Sequence, residues 1–281
     1  MGITYYSLCL LICIYCGAAV FLHRGYLEWE NSPLFTLRAN FKESPSNHDV
    51  DLAALDYCKQ VKDGCRVFDK YEIDYPPGKE DSLFISTYVE DDYQEMNKET
   101  TKWTKVSKEA YYVAEPQTYT LKLFHSYLAT TFHKDNHKDG SSQGSDMVGY
   151  LHVADDPNQI LEVWNKERSI GLSVESLLRS AGVSLDEPSN VTGRETESVR
   201  MRGAFIYFTI TYSNTNEKGL VSPYYSVHAV RVPDVDYKIN ELITQDSGSR
   251  VIRRRYGIYI KFVQRAEIAR FSFPALLFQL I

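Results

Sequence analysis

Residues 3–22, ITYYSLCLLICIYCGAAVFL, carry no charged side chain. Twenty apolar residues in helical form extend about 30 Å, the thickness of a bilayer's hydrocarbon core. Tyr5 and Tyr6 stand at one end of the run and Tyr26 and Trp29 beyond the other, as aromatic side chains do at membrane interfaces, and His23 and Arg24 mark the exit. Residues 1–24 therefore read as a transmembrane helix. A secretory signal peptide is the competing reading. It would need a basic start and a shorter apolar run, and small residues occur only at Gly17, Ala18 and Ala19. Either reading sends the remaining chain across a membrane. Residues 271–281, FSFPALLFQLI, are again apolar but too short to span. They fit a buried terminal strand or the start of a truncated second transmembrane helix; a lipid-anchor signal lacks its small-residue cleavage site and polar spacer.

The intervening residues 25–270 have the composition of a folded body. Hydrophobic residues make up 43% of the 281 and charged residues 24%, which excludes a disordered chain. Lys plus Arg number 31 against 37 Asp plus Glu, a net charge of −6 that argues against nucleic acid as a partner. The 21 Tyr and 13 Phe favour pleated, half-buried surfaces. Period-two alternation predicts strands over 82–89, 119–132, 203–213, 226–233 and 250–263. One helix is predicted over 173–181, stopped by Gly182. Loops are predicted at 76–78, 134–144 and 188–193. The body is expected to be a single mainly β, antiparallel, β-rich α+β ectodomain with short helices.

Cys9, Cys13 and Cys16 fall in the first apolar run and read as small hydrophobes. Cys58 and Cys65 close a short loop over Asp63-Gly64 and are expected to form a disulfide if the body lies in an oxidising compartment. A zinc site there would need more ligands, and His48 is the one nearby candidate. Asn190-Val191-Thr192 is a glycosylation acceptor in a predicted loop. His133 and His137 flank a charged loop and give little case for a metal. The acidic clusters Glu90-Asp91-Asp92 and Asp155-Asp156 read as solvated faces. Phosphate-cradling glycine loops, a nucleophile elbow and a zinc-protease signature are all missing from the sequence, so no enzyme, cofactor or metal is expected.

The order of parts resembles the ionotropic purinergic receptors, the trimeric ATP-gated cation channels. Arg24-Gly25-Tyr26 is similar to the exit of their first span. Residues 74–94, DYPPGKEDSLFISTYVEDDYQ, resemble the family segment in which a proline turn and acidic pair precede Ser-Phe-x-x-x-Thr. Residues 115–126 resemble the strand after the family's head region, and LLRSAGVSL at 177–185 its short helix ending in Ala-Gly. MRGAFIYFTITY at 201–212 and RVIRRRYGIYIKFVQRAEIARFSF at 250–273 resemble the strands that follow. The likeness runs from residue 3 to 281 with gaps. The chain is expected to depart from the pattern in a head region reduced to residues 95–111, in the loss of most family cysteines, and in lacking the cytoplasmic tail and most of the second span.

ATP carries several negative charges that the family meets with cations from three places. In place of its Lys-x-Lys the chain has Arg38 and Lys42 within LRANFK. In place of its Asn-Phe-Arg it has Tyr237-Lys238. Arg254, separated from Tyr256 by Arg255, matches the family lysine ahead of the aromatic-Gly-Ile core. On a strand Arg253 and Arg255 point one way and Arg254 the other. The alternative for this basic run is solubilisation of an edge strand. The resemblance thus implies a homotrimeric, ligand-gated cation channel in the plasma membrane or an intracellular vacuole. Its body would be extracellular or lumenal, ATP or another anionic small molecule its ligand, and monovalent and divalent cations its permeant ions. A single-span or secreted β-rich binding protein without a pore is the alternative.

Overall fold

The computed structural model describes residues 2–22, 24–42, 50–76, 79, 81–133, 141–143, 147–154, 156, 158–166, 169–246 and 248–280. Its helices are α1 (Gly2–Leu22), α2 (Lys70–Ile73), α3 (Thr130–His133), α4 (Val174–Ser180), α5 (Val199–Arg202) and α6 (Phe273–Leu280). Its strands are β1 (Leu27–Trp29), β2 (Leu34–Lys42), β3 (Cys65–Arg66), β4 (Ser82–Met96), β5 (Trp103–Val113), β6 (Thr120–Leu128), β7 (Ser141–Gln143), β8 (Val148–His152), β9 (Ile160–Asn165), β10 (Ile170–Ser173), β11 (Ala204–Asn216), β12 (Gly219–Arg231), β13 (Lys238–Gln245), β14 (Ser249–Glu267) and β15 (Ala269–Phe271).

Among the described residues, nine strands form one sheet in the order β3-β5-β4-β14-β11-β12-β8-β9, with β13 also on β14. A second sheet runs β10-β6-β2 with β7 beside β6, and β1 pairs with β15. The mainly β body expected from composition is present, but it is not wholly antiparallel. β14 runs parallel to β11 from Ala204↔Ile258 to Ser213↔Glu267, and β8 runs parallel to β12. Period-two alternation is the same for either direction, so direction was not legible. The chain reverses once from β11 to β12 and again from β13 to β14, and two reversals return it parallel to β11.

The core lies where the two larger sheets face each other. Leu121 and Leu123 of β6 meet Ile206, Phe208 and Ile210 of β11, Ile258 and Ile260 of β14, and Leu177 and Leu178 of α4. In α4 the Ser173 hydroxyl accepts the Ser176 N–H at 2.9 Å, an N-terminal cap that starts the helix where the sequence placed it. Gly182, at φ 65°, ends it. The strand predicted over 119–132 stops at Leu128, and α3 follows. Glu30 accepts from the Thr131 N–H and hydroxyl at 3.0 and 2.8 Å, turning the chain at that point.

Gly257 marks the place where β14 exchanges partners. Up to Tyr256 its outer neighbour is β13, and from Ile258 it is β11. Its pairing with β4 also slips here, Tyr256 opposing Tyr88 and Gly257 opposing Ser86. Thr87 is the extra residue of this bulge. Buried, it donates its hydroxyl to the Arg200 carbonyl at 2.7 Å and lies 3.2 Å from that of Tyr256. A Cβ on Gly257 would sit 1.9 Å from the Ile85 carbonyl oxygen, so only glycine admits this approach. Gly203, at φ 80°, lies against Gly257 in the same way, its Cβ direction 2.2 Å from the Gly257 oxygen.

At the other end of the body, β1 and β15 tie together the chain next to α1 and α6: Leu27 opposes Phe271, and the Ser272 N–H donates to the Tyr26 carbonyl at 2.9 Å. The C-terminal apolar stretch is thus largely helical rather than a buried strand. Among the described residues no helix is long and apolar enough to cross a membrane. Cys58 and Cys65 are disulfide-bonded with their Cα atoms 5.1 Å apart, and Cys9 and Cys13 are free. His133 as a side chain, His137, Asp155 and His48 lie outside the described residues.

His125 of β6 is buried between tyrosines, its Nδ1 3.0 Å from the Tyr212 hydroxyl and its ring 4.5 Å from that of Tyr225. Burial pushes its pKa down from 6.5 to about 4. The unfolded chain takes up this proton near the ordinary value and the folded chain only near the lower one. The stability conferred above pH 6.5 is therefore lost as pH falls toward 4, by up to about 3 kcal/mol. Unfolding free energies measured at pH 7.5 and 4 should show His125→Gln gaining on the parent chain by about this amount at the lower pH. A pH-independent difference between the two would contradict the assignment.

Candidate ligand site

The three arginines of residues 253–255 lie on β14, a central strand with β4 along one edge and β13 along the other. The edge-strand reading of this run is thereby corrected, because these positions have pairing partners on both sides. Alternation holds as expected, with Arg253 and Arg255 on one face and Arg254 on the other. Arg253 is bidentate to Asp91, Nε to Oδ1 at 2.7 Å and Nη2 to Oδ2 at 2.8 Å. Arg255 donates to Glu241 at 2.8 Å and to the Glu72 carbonyl at 2.8 Å, with its guanidinium 4.9 Å from the Tyr75 ring. Both are committed to holding the sheet.

Arg254 faces a different surface. Its Nη2 is 2.7 Å from Oδ2 of Asp92 and its Nη1 3.6 Å from Oε2 of Glu90. Lys108 of β5 donates to Glu90 Oε1 at 2.6 Å, and Lys105 lies 2.5 Å from Asp92 Oδ1 as an ion pair without hydrogen-bond geometry. Tyr88 donates to Glu90 at 3.3 Å, and burial, followed by the Glu90 charge, raises the Tyr88 pKa. The rings of Tyr88, Tyr112 and Tyr256 pack below.

The acidic triplet Glu90-Asp91-Asp92 is therefore not a solvated face. All three residues are buried. Antiparallel pairing sets Glu90 opposite Arg254 and Asp91 opposite Arg253. Unpaired, such carboxylates would be costly to bury; each here has a cation within 2.8 Å. The complementarity of a basic triplet on one predicted strand and an acidic triplet just past the end of another was the available signal. Lys105 and Lys108 carried none of their own.

The other predicted cations divide. Lys238 begins β13, exposed and opposite Tyr256, so it shares the Arg254 face two residues along. Arg38 and Lys42 belong to β2 in the second sheet, on its exposed side, while Phe35, Leu37, Ala39 and Phe41 turn to the core. Neither they nor Lys238 forms an ion pair with a described residue. Asn190 is exposed in the loop before α5. A cavity of about 570 Å³ lies elsewhere, lined among others by Gln117, Glu175, Arg179, Asp186 and Arg200. It contains none of the four predicted cations, and the chemistry expected of the site follows Arg254 rather than this volume. No cluster of three or more metal-ligating side chains occurs among the described residues.

No family model matches the chain. It is 28% identical over 302 residues to P2X receptor E of Dictyostelium discoideum, covering 99% of this chain and 74% of that one. To P2X receptor D of the same organism it is 28% identical over 273 residues, covering 90% and 64%. In fold it is similar to the chicken ATP-gated P2X7 receptor channel determined with the competitive antagonist TNP-ATP. The TM-score is 0.56 at 12% identity, over 100% of this chain and 93% of that one. It is also similar to a P2X receptor of the Gulf Coast tick determined with ATP and Zn2+, with a TM-score of 0.60 at 13% identity over 96% and 93%.

Because Asp91 is buried against Arg253 alone among the three arginines, Arg253→Ala should leave an uncompensated carboxylate and cost about 3–5 kcal/mol of stability. Chemical denaturation of the two chains checks this; a loss below about 1 kcal/mol would mean that the pair is not the structural tie described.

Proposed function

This chain is a homologue of the P2X receptors, and from that premise we propose that it is a subunit of a cation channel opened by an extracellular or lumenal nucleotide. The observation that carries the reading is the coincidence of a collinear likeness over almost the whole chain with a cation, Arg254, at the position where the family has a phosphate-binding lysine. Arg254 suits a phosphate because its planar fork donates two parallel hydrogen bonds. Lys238, on the same face, is a second donor to the ligand. Arg38 and Lys42, exposed on β2, are free to contribute from this subunit or a neighbour in a homotrimer.

The route from ligand to membrane follows β14. From Arg254 this strand continues to Glu267, and β15 then reaches the start of α6. The distance along the chain from Arg254 to Phe273 is about 60 Å at strand rise. Because β15 is hydrogen-bonded to β1, a pull on β14 acts on the chain next to α1 and α6 together. In this reading α1 is the first membrane span, supported by 21 residues without a charge. The body, with Asn190 glycosylated, lies on the extracytoplasmic side, and α6 opens the second span.

Arg254→Ala should fold, since Lys105 and Lys108 still neutralise Asp92 and Glu90. Losing one or two charge-assisted hydrogen bonds should weaken ATP binding by about ten- to a hundredfold. Binding of ATP to the intact protein, measured by calorimetry alongside the ATP-evoked current, tests this. Unchanged affinity would remove Arg254 from the site, and the absence of both binding and current in the parent chain would remove the channel reading.

A further inference from the structure

Arg254 is already ion-paired before any ligand arrives. Its Nη2 is held 2.7 Å from Asp92 and its Nη1 lies 3.6 Å from Glu90. The two partners are unequally placed: the Arg254 side chain is 35% exposed and that of Asp92 2%. A ligand can therefore approach the guanidinium from solvent, while the carboxylate remains fixed beneath it. We infer that Asp92, assisted by Glu90, is a built-in competitor for the anion site, so that affinity and selectivity are set by how far a ligand's negative charge outbids these two carboxylates.

This inference rests on the reading of Arg254 as a phosphate donor and specifies how that site is regulated. Carboxylate and phosphate oxygens are drawn to the same guanidinium charge, so an incoming phosphate must displace or share the Asp92 ion pair. The ion-paired charges are Arg254, Lys105 and Lys108 against Asp92 and Glu90, a balance of +1 to which Lys238 on the same face adds one more. Arg253 and Arg255 add nothing on this face, being bound to Asp91 and Glu241 on the other. A ligand with one or two negative charges gains little from such a balance. A polyphosphate, attracted to all three cations at once, can exceed the internal pairing. Asp92 itself does not leave: Lys105, 2.5 Å from its other oxygen, retains it in the sheet beneath the ligand.

The experiment compares the full chain in detergent with Asp92→Asn, Arg254→Ala and the double variant, using ATP and inorganic tripolyphosphate as probes in calorimetry at two salt concentrations. Asp92→Asn should tighten ATP binding at least about tenfold and steepen its salt dependence. The same change made on Arg254→Ala should tighten it far less, because the competed group is gone. If ATP binds the parent and Asp92→Asn binds it equally or more weakly, the competitor is refuted and the nucleotide reading stands. Should neither chain bind ATP while Asp92→Asn binds tripolyphosphate more tightly than the parent, the competitor stands and the nucleotide reading falls. Absence of binding to both probes in both chains refutes the competitor as well. If Asp92→Asn fails to fold, Glu90→Gln takes its place with an expected tightening of about threefold, and no tightening overturns the inference.

Discussion

The close passage of backbone at Gly257 organises much of this protein. There β14 gives up β13 and takes β11, and its register with β4 slips by one residue. No side chain fits, because the Ile85 carbonyl occupies the space a Cβ would need, and Gly203, between α5 and β11, meets Gly257 under the same restriction. The slip leaves Thr87 unpaired in the ladder, and its hydroxyl fastens the Arg200 and Tyr256 carbonyls. One long strand can in this way belong to two different neighbourhoods. Above the junction it lies among charges and tyrosines, and below it in the apolar core.

That division gives the arginine run its meaning. The three consecutive arginines sit above the junction, where β4 presents an acidic triplet in antiparallel register. Strand geometry then sorts the ion pairs by face. Those of Arg253 and Arg255 are shielded and hold β4, β13 and β14 together. Those of Arg254 open toward solvent. A single ladder thus supplies both the cohesion of the upper sheet and the chemistry proposed for it. The strand that carries the ladder is also the one whose lower end reaches the β1–β15 pair beside α1 and α6.

The structure agrees with the sequence reading where side-chain character alone decides the outcome. Alternating residues around Phe208 and Ile258 place two core strands. Ser173 and Gly182 bracket α4, and Cys58 and Cys65 are close enough in the chain for their bond to follow from position. The reading failed where a partner distant in sequence decides. Glu90, Asp91 and Asp92 look soluble in isolation and are buried because cations more than 150 positions away neutralise two of them from β14. The parallel pairing of β11 and β14 left no trace in alternation, which is blind to direction.

The sequence by itself determined that an uncharged segment precedes a mainly β body, that the body's core arises from period-two apolar faces, and that Arg254 faces away from Arg253 and Arg255. These follow from local chemistry, since apolar length, strand periodicity and the alternation of Cβ directions depend on neighbouring residues alone. Only the tertiary structure decided that β14 is central rather than an edge, that its arginines are paired, and that Arg254 shares a face with Lys238 while Arg38 and Lys42 stand on another sheet. Those facts depend on which strands meet and in what register, and register is set by contacts such as Gly257 against Ile85 that form only once the chain has closed on itself.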